Sequence, residues 1–319
     1  YGERVLFKVP MHGTSRSISW RQAAGRVDLI ARSLLALTAE TGDRPFAILS
    51  TNSLEMALVD LACLTSGIVN IMVPATASES DVAYILEHAN VGGIFVSDSE
   101  QLQKVLKVRD RLPDLGPIIA LDPSVSGARG VISFEQLLAR SAEVAPDTLE
   151  GHRQAQRIDD LVTVMYTSGT TGTPKGITFT HRNIVFKRFA RALALPEIGE
   201  DDRFLCYLPL FHTFGRFLEM TGCIFWGATY CFATNPGIEN LSAEMRRLRI
   251  TAFISIPMKW MQLYDMVRQN VDVVAADDDD IEVAVRDTVG EDLRWGLSAA
   301  GYLDPEIFRF FQRHGTELM

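Results

Sequence analysis

The sequence has few cysteines, and none is spaced for a metal site or a redox-active pair. The four cysteines lie singly within apolar segments, where small core residues are common. They are Cys63, Cys206, Cys223 and Cys231. Because nothing in this pattern requires disulfide bonds, a reducing compartment is expected, and the cytoplasm is the predicted location.

The sequence also lacks a long apolar run and a continuous basic stretch. Its longest apolar stretch, around residues 223–233, is shorter than the roughly 20 residues that a membrane-spanning helix needs. Association with a bilayer surface stays open. The formal net charge is −9 at pH 7, and no Lys/Arg run forms a stripe, which argues against a nucleic-acid partner. Any anion-binding role must therefore rest on one local segment.

The chain of 319 residues, 47% of them hydrophobic, is long enough to bury a large core. Short apolar segments alternate with helical patterns of ten or more residues, which predicts βαβ units. The expected fold is α/β, with largely parallel sheets and flanking helices. We place a first subdomain at residues 1–150 and a second at 151–319. The polar segment 143–159 is expected to join them, and the run Asp277–Asp280 to be an exposed linker.

The least ordinary segment is a hydroxyl-rich loop, residues 167–176. It contains five hydroxyl side chains, three glycines and one lysine, directly after the apolar strand-like run 161–165. Gly169 and Gly172 allow positive φ and a close approach of backbone N–H groups to an anion. The hydroxyls can donate to phosphate oxygens, and Lys175 adds a positive charge. This composition suits a polyphosphate.

A Walker A loop is excluded by spacing. That motif ends in Gly-Lys-Ser/Thr and opens a helix, whereas Lys175 follows Pro174 and precedes Gly176 and the β-like run 177–180. The loop is therefore predicted to join two strands, and a P-loop nucleotidase is disfavoured.

Two further segments sit where an α/β sheet places its ligands, after a predicted strand and before a helix. The first contains Phe211 and His212, and no acidic residue occurs between Leu205 and Phe217. The second is the small-residue turn 298–301, where a flat base can lie against the backbone.

The loop and the following Thr180-His181-Arg182-Asn183 resemble the signature of the adenylate-forming (AMP-binding) superfamily. The segment around His212 resembles the acyl-CoA synthetase branch, most closely the long-chain fatty acid–CoA ligases. The peptide-synthetase branch carries an aspartate for the substrate amine near this position, so an amino-acid substrate is disfavoured. The resemblance implies that a carboxylic acid is activated by ATP to an acyl-adenylate and then transferred to CoA. The acid that this branch implies is a fatty acid.

The resemblance also implies site residues and cofactors. ATP phosphates would bind Thr167, Ser168, Gly169, Thr170, Thr171, Gly172, Thr173 and Lys175. The acyl substrate would contact His212 and Phe211, with His212 against its carboxylate. Adenine would lie against Ser298, Ala299, Ala300 and Gly301. The implied cofactors are ATP, Mg²⁺ and CoA, with no metal ligand assigned in this chain.

The resemblance reaches only the first half to two-thirds of a family member. The Tyr-Gly-x-Thr-Glu motif, the ribose-binding aspartate and the C-terminal domain with its catalytic lysine are absent. Thr316-Glu317 is interpreted as part of a strand. We expect no turnover from the 319 residues alone. A fatty acyl-AMP ligase that delivers to a carrier protein, a luciferase-like oxidase and a non-catalytic nucleotide-binding relative remain alternatives.

Overall fold

The computed structural model describes residues 1–11, 13–125, 127–167 and 172–319. Within these ranges it is an α/β protein with two seven-stranded sheets, both mostly parallel. The strands are β1 (Val5–Met11), β2 (Thr14–Ser19), β3 (Phe46–Leu49), β4 (Asn70–Val73), β5 (Gly93–Val96), β6 (Ile118–Ala120), β7 (Val131–Ser133), β8 (Leu161–Thr167), β9 (Lys175–Thr180), β10 (Arg203–Cys206), β11 (Thr229–Phe232), β12 (Ala252–Ser255), β13 (Trp295–Ser298) and β14 (Glu317–Leu318).

Helices follow most of the strands, as the alternation of segments predicts. They are α1 (Trp20–Thr41), α2 (Leu54–Ser66), α3 (Glu79–His88), α4 (Ser99–Val108), α5 (Phe134–Ala139), α6 (Pro146–Ala155), α7 (His181–Ala194), α8 (Thr221–Trp226), α9 (Ile238–Leu248), α10 (Pro257–Asn270), α11 (Asp278–Val289) and α12 (Pro305–Arg313). A π-helical segment, Phe214–Met220, precedes α8. No helix in the described ranges is long and apolar enough to cross a bilayer.

The chain divides into two compact units. The loop-bearing unit comprises residues 21–191 and 209–213, and the terminal unit comprises 1–20, 192–208 and 214–319. The predicted boundary near residue 150 falls inside the loop-bearing unit. The division into subdomains 1–150 and 151–319 stays a prediction.

The sheet of the loop-bearing unit has the order β7-β6-β5-β3-β4-β8-β9. Strands β3, β4, β5 and β6 are buried at every residue, as is typical of parallel strands covered by helices on both faces. Only the last pair, β8 with β9, is antiparallel. One core cluster of this unit consists mainly of aliphatic side chains from the strands together with α3 and α4.

The terminal unit has the sheet order β14-β13-β12-β10-β11-β1-β2. Strand β1 pairs in parallel with β11, with Phe7 opposite Tyr230, and forms a hairpin with β2. Trp260 is fully buried in the core and donates its indole N–H to the carbonyl of Leu297 at 3.2 Å. The four cysteines, in both units, are buried, which confirms their interpretation as core residues.

Two segments that were predicted to connect other parts of the chain contain helices. Asp277 is the N-cap of α11, and its side chain accepts a hydrogen bond from the Asp280 N–H at 3.0 Å. The three aspartates that follow occupy the first helical turn, where negative charge is stabilised by the N–H groups of the helix end. The four aspartates are exposed, as predicted, but the prediction that they form a linker was wrong. The predicted join at 143–159 contains helix α6, with Pro146 in its first turn.

Candidate functional site

The hydroxyl-rich loop connects two antiparallel strands, as its sequence predicts. Thr167 at the end of β8 is opposite Lys175 at the start of β9, and Tyr166 is opposite Gly176. Gly172 has φ +84°, which confirms the positive φ expected there. Four predicted phosphate-binding residues lie outside the described residues: Ser168, Gly169, Thr170 and Thr171.

An open pocket of about 380 Å³ in the loop-bearing unit brings both ends of this loop together with the predicted acyl-binding segment. Thr167, Gly172 and Pro174 line it from the loop, and Phe211 and His212 from the segment 209–213. Thr173 and Lys175 are exposed on the loop without lining this pocket. Two regions separated by more than thirty residues in the sequence thus share one cavity.

A side chain from the end of another strand holds the segment that contains His212. The Leu210 N–H donates a hydrogen bond to Asn52 Oδ1 at 2.8 Å, and Asn52 follows β3. Within the segment, the His212 N–H donates to the Pro209 carbonyl at 3.0 Å. The imidazole of His212 is exposed, so a ligand in the pocket can reach it.

Sequence reasoning missed the wall formed by α3 and the turn before it. This wall includes Pro74, Thr76, Asp81 and Ile85. The sequence indicates only that a helix follows β4, which ends at Val73. The structure adds that β4 pairs in parallel with β8, so that the carboxyl ends of the two strands meet at one edge of the sheet. Asp81 accepts a hydrogen bond from the Ser78 hydroxyl at 2.7 Å, which fixes the carboxylate at the pocket.

An aromatic cluster lies under the start of the loop. The Tyr166 hydroxyl is 2.7 Å from His88 Nδ1, and the His88 ring stacks on Tyr84 with the ring centroids 5.3 Å apart. Burial, and then the neighbouring Tyr84, raise the pKa of Tyr166, so its hydroxyl stays neutral at physiological pH. A Cβ at Gly176 would lie 3.1 Å from Cζ of Tyr166, so the absence of a side chain there allows the close approach of β9.

The predicted adenine-binding turn, residues 298–301, belongs to the terminal unit. The Ala299 N–H donates to the Ser255 carbonyl at 3.0 Å, and Ala300 has φ +67°, a strained conformation for a residue other than glycine. Ser298 Oγ is buried without a hydrogen-bond partner in the described part of the chain. A hydroxyl of this kind is available to a ligand.

These features define an α/β protein with a hydroxyl-rich hairpin loop and a histidine in one pocket at the edge of a parallel sheet. The family model described as AMP-binding enzyme matches residues 2–319. The chain belongs to that family.

Curated relatives include long-chain-fatty-acid–CoA ligase FadD15 of Mycobacterium tuberculosis, 27% identical over 267 residues, which cover 83% of this chain and 43% of that protein. Long-chain-fatty-acid–CoA ligase ACSBG2 of Homo sapiens is 27% identical over 242 residues, 75% of this chain and 36% of that protein. The chain thus spans less than half the length of these relatives.

Solved structures share the fold. ATP-bound MatB from Rhodopseudomonas palustris superposes with a TM-score of 0.74 at 18% identity, covering 99% of this chain and 56% of that one. At this level of identity the likeness shows the fold alone.

Proposed function

We propose that the chain is part of an AMP-forming acid–thiol ligase that activates a fatty acid with ATP and passes the acyl group to CoA. Family membership and the names of the relatives support ligase chemistry of this type. The partners in this proposal are a carboxylic acid, ATP and CoA. A reducing cytoplasm is also part of it, supported by the burial of the four cysteines as core residues.

The observation that carries the proposal is the shared pocket of Thr167, Gly172 and His212. The first reaction step brings a carboxylate against a triphosphate, and two anions approach only where donors offset their repulsion. In the proposal, N–H and hydroxyl groups of the loop bind the β- and γ-phosphates, which leave as pyrophosphate. Lys175 binds that leaving-group charge, and its ammonium forms no ion pair with a residue in the described ranges.

His212 is proposed to contact the acyl carboxylate and to orient it toward the α-phosphorus. Phe211 lines the same pocket and provides apolar surface for the first carbons of the chain. Adenine is proposed to lie against the turn 298–301. Magnesium accompanies ATP in the proposal, but the described residues offer no group of three or more His, Cys, Asp or Glu side chains for a metal ion. We therefore assign no metal ligand.

The test is a titration of the chain with ATP and with pyrophosphate, followed by backbone amide shifts. We expect saturable shifts at Thr167, Gly172 and Lys175. Lys175→Ala is expected to weaken pyrophosphate binding about tenfold, because a hydrogen bond to a charged group contributes about 1.5–3 kcal/mol. Lys107→Ala is the matched control, since Lys107 is exposed and pairs with Glu79 at 2.6 Å. Shifts confined to other segments, or equal affinities of the two variants, would reject the assignment.

Product analysis of the whole enzyme separates the two acyl acceptors. Acyl-CoA as the product detected by mass spectrometry supports the proposal. Acyl-AMP that persists with CoA and disappears only when a carrier protein is added would instead support a fatty acyl-AMP ligase.

A further inference from the structure

Helix α7, which follows β9, has four basic side chains and no acidic one: Arg182, Lys187, Arg188 and Arg191. They are not equivalent. Arg182 is exposed and binds Asp159 through two hydrogen bonds of 2.5 and 2.8 Å. Lys187 is also exposed. Arg188 faces inward instead, and only 5% of its surface is accessible.

The guanidinium of Arg188 is buried without a counter-charge. Its Nε and Nη1 atoms have no hydrogen-bond partner, and none of the ion pairs within the described residues includes it. Burial, and then the positive charge of Arg191, lower its pKa to about 10, so it still carries its charge at neutral pH. A buried charge with unsatisfied donors is unfavourable unless an opposite charge compensates it.

We propose that Arg188, with Arg191 beside it, forms a binding site for an oxyanion, either a phosphate or a carboxylate group. A planar guanidinium presents its N–H donors in a fixed arrangement that matches the oxygens of these groups. A bound oxyanion satisfies the free donors of Arg188 and offsets the repulsion between the two positive charges. This site is separate from the pocket, whose lining includes no residue of α7, and it does not depend on the proposed function.

The first measurement is direct. The chain is titrated with sodium phosphate and, separately, with sodium octanoate below its micelle concentration, at an ionic strength held constant with sodium chloride. The Nε–H resonance of Arg188 is followed by NMR. We expect a saturable shift with phosphate, octanoate or both, and the stronger ligand identifies the oxyanion class. No shift with either anion overturns the proposal.

The second measurement is thermal unfolding in the same solutions. Arg188→Met keeps the aliphatic stem and removes the charge. In sodium chloride it is expected to unfold at a higher temperature than the unsubstituted chain, by about 2 °C or more, because the uncompensated charge is gone. The stabilisation by the oxyanion should disappear in the same variant. Arg182→Met, on the same helix, should retain it.

If Arg188 has only a structural role, the unfolding temperatures change in the opposite direction. If a carboxylate of the polypeptide compensates Arg188, Arg188→Met unfolds at a lower temperature and the anion has no specific effect on the unsubstituted chain. Arg188→Lys keeps the charge but not the planar group of donors, and is expected to bind the oxyanion at least severalfold more weakly. In the Lys175→Ala variant, the Arg188 Nε–H resonance should still shift fully with the oxyanion. Failure of the Arg188 site and failure of the phosphate-loop assignment are therefore distinguishable.

Discussion

Glu219 is a buried acid that the candidate site does not use. It lies in the π-helical segment, fully buried, and neither carboxyl oxygen has a hydrogen-bond partner among the described residues. Burial, and then the neighbouring Cys223, raise the pKa of Glu219 well above its ordinary value. Since the folded state holds this proton more tightly than the unfolded state, stability falls as pH rises above about 4.5.

The substitution Glu219→Gln tests whether Glu219 causes stability to fall as the pH rises. Glutamine has nearly the same shape and stays neutral at every pH. Between pH 5 and 7, Glu219 is expected to lower the free energy of unfolding by about 1.4 kcal/mol per pH unit while its carboxyl stays protonated in the folded state. Chemical denaturation at several pH values measures the difference between the variant and the unsubstituted chain. A difference that does not change with pH would show that the acid is compensated.

The hydrogen bond between Tyr166 and His88 supplies a second prediction. Tyr166→Phe removes the hydroxyl that lies 2.7 Å from His88 Nδ1, at the point where the loop begins. We expect a loss of about 1 kcal/mol in stability and severalfold weaker pyrophosphate binding, because the loop start is less firmly positioned. The control is Tyr84→Phe, which keeps the ring stacked on His88. Equal pyrophosphate affinities of the two variants would show that the Tyr166 hydroxyl does not help to position the loop.

At the scale of elements, residues close in the chain set the two ends of α2. Ser53 Oγ accepts a hydrogen bond from the Met56 N–H, and Gly67 ends α2 with φ +76°. The pairing of β1 is not local, because its partner β11 lies more than two hundred residues away. The linker prediction failed at α11 because a run of acidic residues suits both an exposed linker and a first helical turn.

Two glycines in different elements are expected to respond oppositely to alanine. A Cβ at Gly296 in β13 would lie 2.5 Å from Cη2 of the buried Trp260, so Gly296→Ala should cost about 1–3 kcal/mol by overpacking. A Cβ at Gly25 in α1 meets nothing within 4 Å. Gly25→Ala should therefore stabilise the helix by about 0.5–1 kcal/mol. Urea denaturation of both variants gives the comparison, and a stable Gly296→Ala would contradict the packing at Trp260.

At the scale of the whole molecule, the net charge of −9 governs long-range interactions. Nucleic acids are polyanions, and proteins bind them by neutralising phosphates with Lys and Arg. We expect no change in the fluorescence anisotropy of a labelled DNA duplex at about 0.15 M salt and micromolar protein. A basic DNA-binding protein serves as the positive control. A rise in anisotropy that weakens with added salt would contradict the prediction.

The candidate site was predictable in its chemistry but not in its full composition. The loop between two strands, the positive φ of Gly172 and the strand-end position of His212 all follow from residue order. Asn52 and the α3 wall do not, because they reach the pocket only through the order of β3, β4 and β8 in the sheet. That order depends on pairing between distant segments.

The sequence by itself determined the alternation of strands and helices, the parallel character of the sheets and the position of the hydroxyl-rich loop between two strands, because each depends on residues near one another in the chain. Tertiary structure alone decided which strand ends meet at the pocket and which polar groups are buried without partners, among them Glu219 and Arg188. The physical reason is that burial and charge compensation depend on neighbours in space, and strand pairing in the folded protein selects those neighbours.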